Sequence, residues 1–388
     1  MPGTLGVELR ILSGSPLSIC LAAAIFGMLA CSSATARVET KVRVLLYSGV
    51  DPIQVGRVAQ SGEIKLDAQG DLVVAGRSQA RRWAPTGSGP WRVGPRIVRG
   101  EIIVRVRRQR IEVLNRIGIE DYVASTVGGE MSPSWPTEAL RAQAVAARTY
   151  VLYEADRHRK QGWDVRATSV SQVYRGVEAE TSETRNATKA TRGQVLTYAG
   201  EPILAVFHST AGGRTATAGE VWGEDLPYLR VVEVEDEDDA PHTYWRTAFA
   251  RDALAEILEA AGVSVGQLQD LEVDDRTSSG RVKSLAITGS SGTSRLRGRG
   301  LRSLLGGLGL RSTLFEIRAT PDQFVFVGSG HGHGVGMSQW GARAMARHGA
   351  SYKRILARFY PGTRLEKISS RRVALQGIGR TTNQGDHR

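Results

Sequence analysis

The stretch from Ile117 to Tyr153, IGIEDYVASTVGGEMSPSWPTEALRAQAVAARTYVLY, limits the fold of this chain more tightly than any other. It opens with an apolar lead-in, Ile119, Tyr122, Val123 and Val127, and passes through Gly128-Gly129-Glu130, which reads as a turn. A long helix is predicted from Pro136, because proline is tolerated in a first helical turn where its missing N–H would have no partner. Leu140, Ala144, Ala147, Val151 and Ala155 then fall on one helical face. Ala142, Ala144, Ala146 and Ala147 let a neighbouring backbone come close, so this helix is expected to be central and buried. Glu130 is read as sitting on a loop, more than a turn upstream of the helix and beyond the reach of an ordinary cap. One reading is a solvated carboxylate, or one that favours the positive helix end. The other is an acid in a partly apolar pocket of Tyr122, Met131 and Trp135, where burial raises its pKa and makes it a general acid. Local composition leaves both open.

The 388 residues allow two or three domains, and 41% hydrophobic with 23% charged residues argues against wholesale disorder. A net charge of +12 suits a polyanionic partner: nucleic acid, an anionic membrane face or a carboxylate-bearing wall polymer. Residues 1–36 narrow the choice, since they read as an export signal: Arg10, an apolar run from Leu17 to Ala30, and a small-x-small cleavage site at Ala34-Thr35-Ala36. The run is short for a membrane span. Lipidation at Cys31 and a retained anchor rank behind cleavage after Ala36. Cys20 and Cys31 are the only cysteines, so the mature chain is expected to have neither disulfide nor thiolate metal site. The expected location is the periplasm or cell envelope, with no nucleic-acid partner.

Residues 37–116 read as a β-rich region of short apolar runs separated by Gly, Pro and Asp breaks. Arg105, Arg107, Arg108 and Arg110 form a basic strand edge, read as a solvated or protected edge before a binding strip. Beyond the central helix, Ser182 to Arg192 is expected to be a short helix. Val195–Tyr198 and Ile203–Phe207 are expected to pair as strands, and Glu233–Asp239 (EVEDEDD) to be a solvated acidic loop without a defensible calcium spacing. A helix from Arg251 to Ala261 and hairpins about Ser278-Ser279-Gly280 and Pro321-Asp322 follow. Near the end, GSGHGHGVGMSQWGARAMARHG sets His331 and His333 among glycines, in a loop expected to approach a ligand closely. The helix from Ser338 to His348 would aim its first N–H groups, with Ser338 and Gln339, at the same place. The tail from 369 to 388 is expected to be disordered.

Three blocks together resemble the SpoIID/LytB family, stage II sporulation protein D and its relatives. The first runs through Glu120-Asp121-Tyr122, Glu130-Met131, Trp135-Pro136, Glu138-Ala139-Leu140, Gln143-Ala144 and Ala146-Ala147-Arg148-Thr149-Tyr150. The second is Gln172-Val173-Tyr174 with His208-Ser209, Gly212-Gly213, Thr215 and Val221-Trp222-Gly223, and the third is GHGHGVGMSQWGA with Phe359 to Thr363. The chain departs at Gly128-Gly129, where relatives more often carry a proline and a small polar residue.

The resemblance implies an α+β fold, β-rich at the N-terminus, with mixed elements around the central helix across residues 117–368. It implies action on peptidoglycan as a lytic transglycosylase that cuts glycan strands already stripped of stem peptides. Glu130 would protonate the glycosidic oxygen and then take a proton from the C6 hydroxyl, giving a 1,6-anhydromuramyl end. Gln143, Arg148, Tyr150, His208, Ser209, Trp222, His331, His333, Ser338 and Gln339 would hold the glycan. For Arg148 a structural ion pair is equally open, for His208 a core role, and Trp222 offers a stacking face for a sugar. Some relatives carry zinc-ligating Cys or His here; positions 209–223 offer neither, so no metal or cofactor is expected. Some relatives are described as enhancers of cell-wall amidases, which makes a non-catalytic glycan-binding module the alternative and an amidase the expected partner. A metal-dependent hydrolase built on His208, His331 and His333 ranks last.

Overall fold

The computed structural model describes residues 40–368; the segment read as an export signal, with its two cysteines, and the tail from 369 lie outside the described residues. The fold is α+β. Its first layer is a five-stranded sheet in the order Val165–Arg166, Lys41–Gly49, Arg110–Gly118, Glu101–Arg107, Arg82–Trp83, antiparallel except where 165–166 joins 41–49. The middle strand, Arg110–Gly118, is buried from Ile111 to Asn115, with apolar side chains on both faces. Ile111, Val113 and Ile117 join the main core, while Leu114 packs with Leu45 and Trp163 on the other face. A second sheet of short strands spans residues 53–98. The basic strand edge is divided: Arg105 donates to the carbonyl of Gln161 (2.7 Å), as does Arg107, and Arg105 also pairs with Glu112, whereas Arg108 and Arg110 are exposed.

Eight α-helices lie among the described residues: α1 (Ile119–Glu130), α2 (Thr137–Arg157), α3 (Ser182–Ala190), α4 (Ala218–Trp222), α5 (Arg251–Ala260), α6 (Gly298–Gly307), α7 (Gln339–Arg347) and α8 (Tyr352–Phe359). The helix α2 starts after Pro136, and every residue from Ala139 to Val151 except Arg141 is buried, so the alanine face is the centre of the main core. The expected Gly128-Gly129 turn is instead the last part of helix α1. Its glycines serve a neighbour and not a bend: a Cβ on Gly128 would lie 2.0 Å from the Ala179 carbonyl oxygen, and one on Gly129 would lie 2.2 Å from that of Val173. Only bare backbone lets residues 173–179 lie against this helix.

The expected pairing of 195–198 with 203–207 also changes. Gln194–Tyr198 pairs with Glu201–Pro202 on one side and Arg364–Lys367 on the other. Phe207–His208 pairs in parallel with Met337–Ser338, which joins the second and third sequence blocks. Residues 244–329 have a core of their own, in which Trp245, Leu254, Leu285, Leu304, Phe324 and Phe326 are buried between two three-stranded sheets and the helices α5 and α6. No helix among the described residues is long and apolar enough to cross a membrane.

Candidate active site

The Gln172-Val173-Tyr174 strip shows how the site is assembled. Side chains alternate along an extended segment. Gln172 and Tyr174 turn inward, where the Tyr122 hydroxyl donates to Gln172 Oε1 (2.7 Å) and that of Tyr174 donates to Asn115 Oδ1 (2.8 Å). The rings of Tyr122 and Tyr174 stack at 5.5 Å. Asn115, fully buried, is fixed in turn by donating to the carbonyls of Arg99 and Glu101. Between the two inward residues, the Val173 N–H donates to Glu130 Oε1 (2.7 Å). On its other side, Gln339 Nε2 donates to Glu130 Oε2 (3.4 Å) from the start of helix α7. The carboxyl of Glu130 thus lies at the end of helix α1, held by one group from each of the other two blocks. Burial holds it above the usual carboxylate range, against the opposing pull of Val173, Gln339 and Arg175.

Glu130 lines a cavity of about 380 Å³ with Tyr150, residues 169–171, residues 206–209, Trp222, residues 331–333 and Gln339. Of the residues expected to hold a ligand, Tyr150, His208, Ser209, Trp222, His331, His333 and Gln339 therefore meet at one place. Helix α4 presents Trp222: Thr217 and Glu220 cap its start reciprocally, and Gly223, at φ 88°, ends it. The indole is 45% exposed and leans on the His333 ring at 5.3 Å, leaving a face open for stacking. His333 also meets His208, ring centres 5.5 Å apart, while His331 meets His242. His208 Nδ1–H donates to the Val335 carbonyl (3.1 Å), so Nε2 carries the lone pair; it is buried and has no partner among the described residues. Val335 N–H donates to His333 Nδ1, which assigns the proton of that ring to Nε2. Burial, then neighbouring positive charge, pushes His208 well down and His333 down to about 4, so both rings are neutral near pH 7. No three His, Cys, Asp or Glu among the described residues are grouped to hold a metal ion.

Three expected residues stand elsewhere. Arg148, 1% exposed, makes a two-pronged ion pair with Glu120 (2.7 and 3.1 Å) and donates to the Gln194 carbonyl. This is the structural alternative the sequence left open. Gln143 is fully buried in helix α2, with neither amide atom partnered among the described residues. Ser338 is buried as the cap of helix α7, accepting from the Gly341 N–H.

The acidic run corrects an expectation. Most of it is exposed, but Glu237 is buried, accepting from the N–H groups of Ala211 (3.0 Å) and Gly212 (2.9 Å) and from the Ser338 hydroxyl. It pins the Ala211-Gly212 backbone to the start of helix α7, and a run of like charges gave no hint of it. Arg281 was equally hidden. Buried beneath the loops, it donates to the carbonyls of Ala211 (3.0 Å) and Arg214 (3.1 Å), and a Cβ on Gly334 would lie 2.2 Å from its Nη2.

Residues 107–198 match the family model described as stage II sporulation protein, and 228–336 match a domain of unknown function. The chain is 36% identical to an uncharacterised protein of Brachyspira hyodysenteriae over 251 residues, 64% of this chain and 67% of the relative. It is 31% identical to the amidase enhancer of Bacillus subtilis over 285 residues, 62% of this chain but 39% of that longer relative. With stage II sporulation protein D of Bacillus amyloliquefaciens it shares 32% identity over 293 residues, 71% of this chain and 82% of the relative. The chain belongs to the stage II sporulation protein D family.

Proposed function

We propose that this protein is a peptidoglycan lytic transglycosylase acting on peptide-free glycan strands, with Glu130 as its single acid and base. Membership of the family supports a cell-wall-related role. The observation that carries the finer reading is the Glu130 carboxyl, raised by burial, on the wall of a cavity that also offers an exposed indole. A carboxyl that keeps its proton beyond the usual range can donate it to a glycosidic oxygen as the bond breaks, leaving an oxocarbenium-like ring. The resulting carboxylate then removes the proton from the C6 hydroxyl, whose oxygen closes on C1 to give the 1,6-anhydro ring, and Glu130 is again protonated. Val173 N–H and Gln339 aim its two oxygens throughout. Trp222 stacks on a sugar face, and His208 Nε2 is a hydrogen-bond acceptor beside it. Tyr150, Ser209, His331 and His333 complete the wall. Gln143, Arg148 and Ser338 act from behind, by holding helices α2 and α7.

A second reading has one specific support, the relative named amidase enhancer. In that case the same cavity binds glycan without cutting it and the protein works beside a cell-wall amidase; export, cleavage near Ala36 and a place in the cell envelope belong to both readings. Peptide-free glycan strands incubated with the protein and with Glu130→Gln separate them by mass analysis. Anhydromuramyl ends from the parent, and a loss of about 10²–10⁴-fold in the variant, are expected for a general acid. Binding without cleavage by either would replace the enzyme with the enhancer. Reducing ends would make it a hydrolase.

A further inference from the structure

A second cavity, about 550 Å³, lies apart from Glu130, between the acidic segment 233–236 and the helices α7 and α8. Its floor is apolar: Val234, Ala344, Met345 and Phe359 face it. Two contacts close its sides. Arg358 Nη2 donates to the carbonyl of Glu233 (2.8 Å), and His348 Nδ1 lies 3.5 Å from Asp236 Oδ2. Glu235 and Arg354 also line the cavity, one from the acidic segment and the other from helix α8. Around them charges are paired, as in Asp239 with Arg343 and Arg347, yet Glu235 and Arg354 pair neither with each other nor with any described residue. A concave site of this volume that joins an apolar floor to unpaired charged groups has room and chemistry for a small ligand. Two opposite charges that line one cavity without partners match a ligand that carries both.

We propose that this cavity binds short peptides by their two free ends. The ammonium end meets Glu235, the carboxylate end meets Arg354 in the paired geometry that a guanidinium offers, and small side chains rest on the Met345–Phe359 floor. Hydrolysis of an amide, with water adding to give one carboxylate and one ammonium, is the class of reaction that makes such ends. A peptide-releasing hydrolase would therefore supply the ligand. The proposal goes beyond the chemistry assigned to Glu130 and does not depend on it.

Calorimetric titration of the full chain with trialanine tests it, beside N-acetyl-trialanine and trialanine amide. One saturable site for trialanine is expected, weakened by about threefold to tenfold when either end is blocked, as for one partly exposed charge contact. Glu235→Gln and Arg354→Met should weaken it by a similar factor while melting as the parent does, since both side chains are exposed. Absence of a saturable site, equal binding of the blocked peptides, or variants that bind like the parent would each overturn the proposal. The readout is peptide binding, so a protein that fails to cut glycan still tests it.

Discussion

Two charged side chains, half-buried Glu130 and buried Arg148, show how differently one stretch of sequence uses its charges. Glu130 holds its proton to higher pH in the folded protein than in the unfolded chain, because burial penalises the carboxylate. Its contribution to stability is full below the ordinary carboxylate range and is lost as pH rises through the raised value. Glutamine suffers no such loss, so Glu130→Gln is expected to melt above the parent at neutral pH, with the gap closing as pH falls to the ordinary range. Scanning calorimetry at several pH values checks this; a constant gap would mean that the carboxyl is not desolvated. Arg148 is the opposite case, a buried cation fully engaged by Glu120. Arg148→Met leaves that carboxylate uncompensated and is expected to lower stability by about 3–5 kcal/mol in urea unfolding, the usual effect of breaking a buried pair. Sequence placed both residues in one motif, but nothing in the letters told the acid of the cavity from the cation of the core. The difference lies in what comes back from residues 173, 194 and 339 to meet them.

At the scale of elements, the sequence was legible where a pattern is local. Helix α2 follows from its alanine face and Pro136, helix α5 from its amphipathic spacing, and the 268–289 and 315–329 hairpins from their turns. It was illegible where a residue answers to a distant backbone. Gly128 and Gly129 read as a turn, since glycine is a poor helix former, but they lie in a helix on which two carbonyls pack too closely for any side chain. The same reasoning yields a paired test. Gly129→Ala drives a methyl into the Val173 carbonyl and displaces the N–H that aims Glu130. It should destabilise by about 1–3 kcal/mol, as overpacking does, and lower glycan cleavage or binding as well. Gly306→Ala in helix α6 meets nothing within 4 Å and should stabilise by about 0.5–1 kcal/mol through helix propensity. Urea midpoints of the two variants are expected to move in opposite directions. If both fall, the close approach of residues 173–179 to helix α1 is not what demands the glycines.

Across the whole molecule, the least legible feature is the support that residues 244–329 give to the cavity beside Glu130. Arg281 lies just before their strand Val282–Gly289, is 2% exposed, and is pushed down to about 10 by burial, yet it braces the 211–214 backbone through the carbonyls of Ala211 and Arg214. Its charge also reaches the two rings on the cavity wall, adding to the burial that depresses His208 and His333. The unfolded chain takes up protons on these histidines near the ordinary imidazole value of 6.5, whereas folded His333 does so only near 4. Their contribution to stability is therefore whole above the unfolded value and is lost as pH falls between the two. Arg281→Met should act on both sides of this balance. Leaving two buried carbonyls without their donors lowers stability at neutral pH by about 1–3 kcal/mol. Removing the cation raises the titration midpoint of His333, so less stability remains to be lost on acidification. The unfolding free energies of variant and parent are expected to converge from neutral pH towards about pH 5, with the His333 ring resonance titrating at higher pH in the variant. Parallel curves would mean that the guanidinium braces the loop mechanically and leaves the electrostatics of the cavity to burial alone.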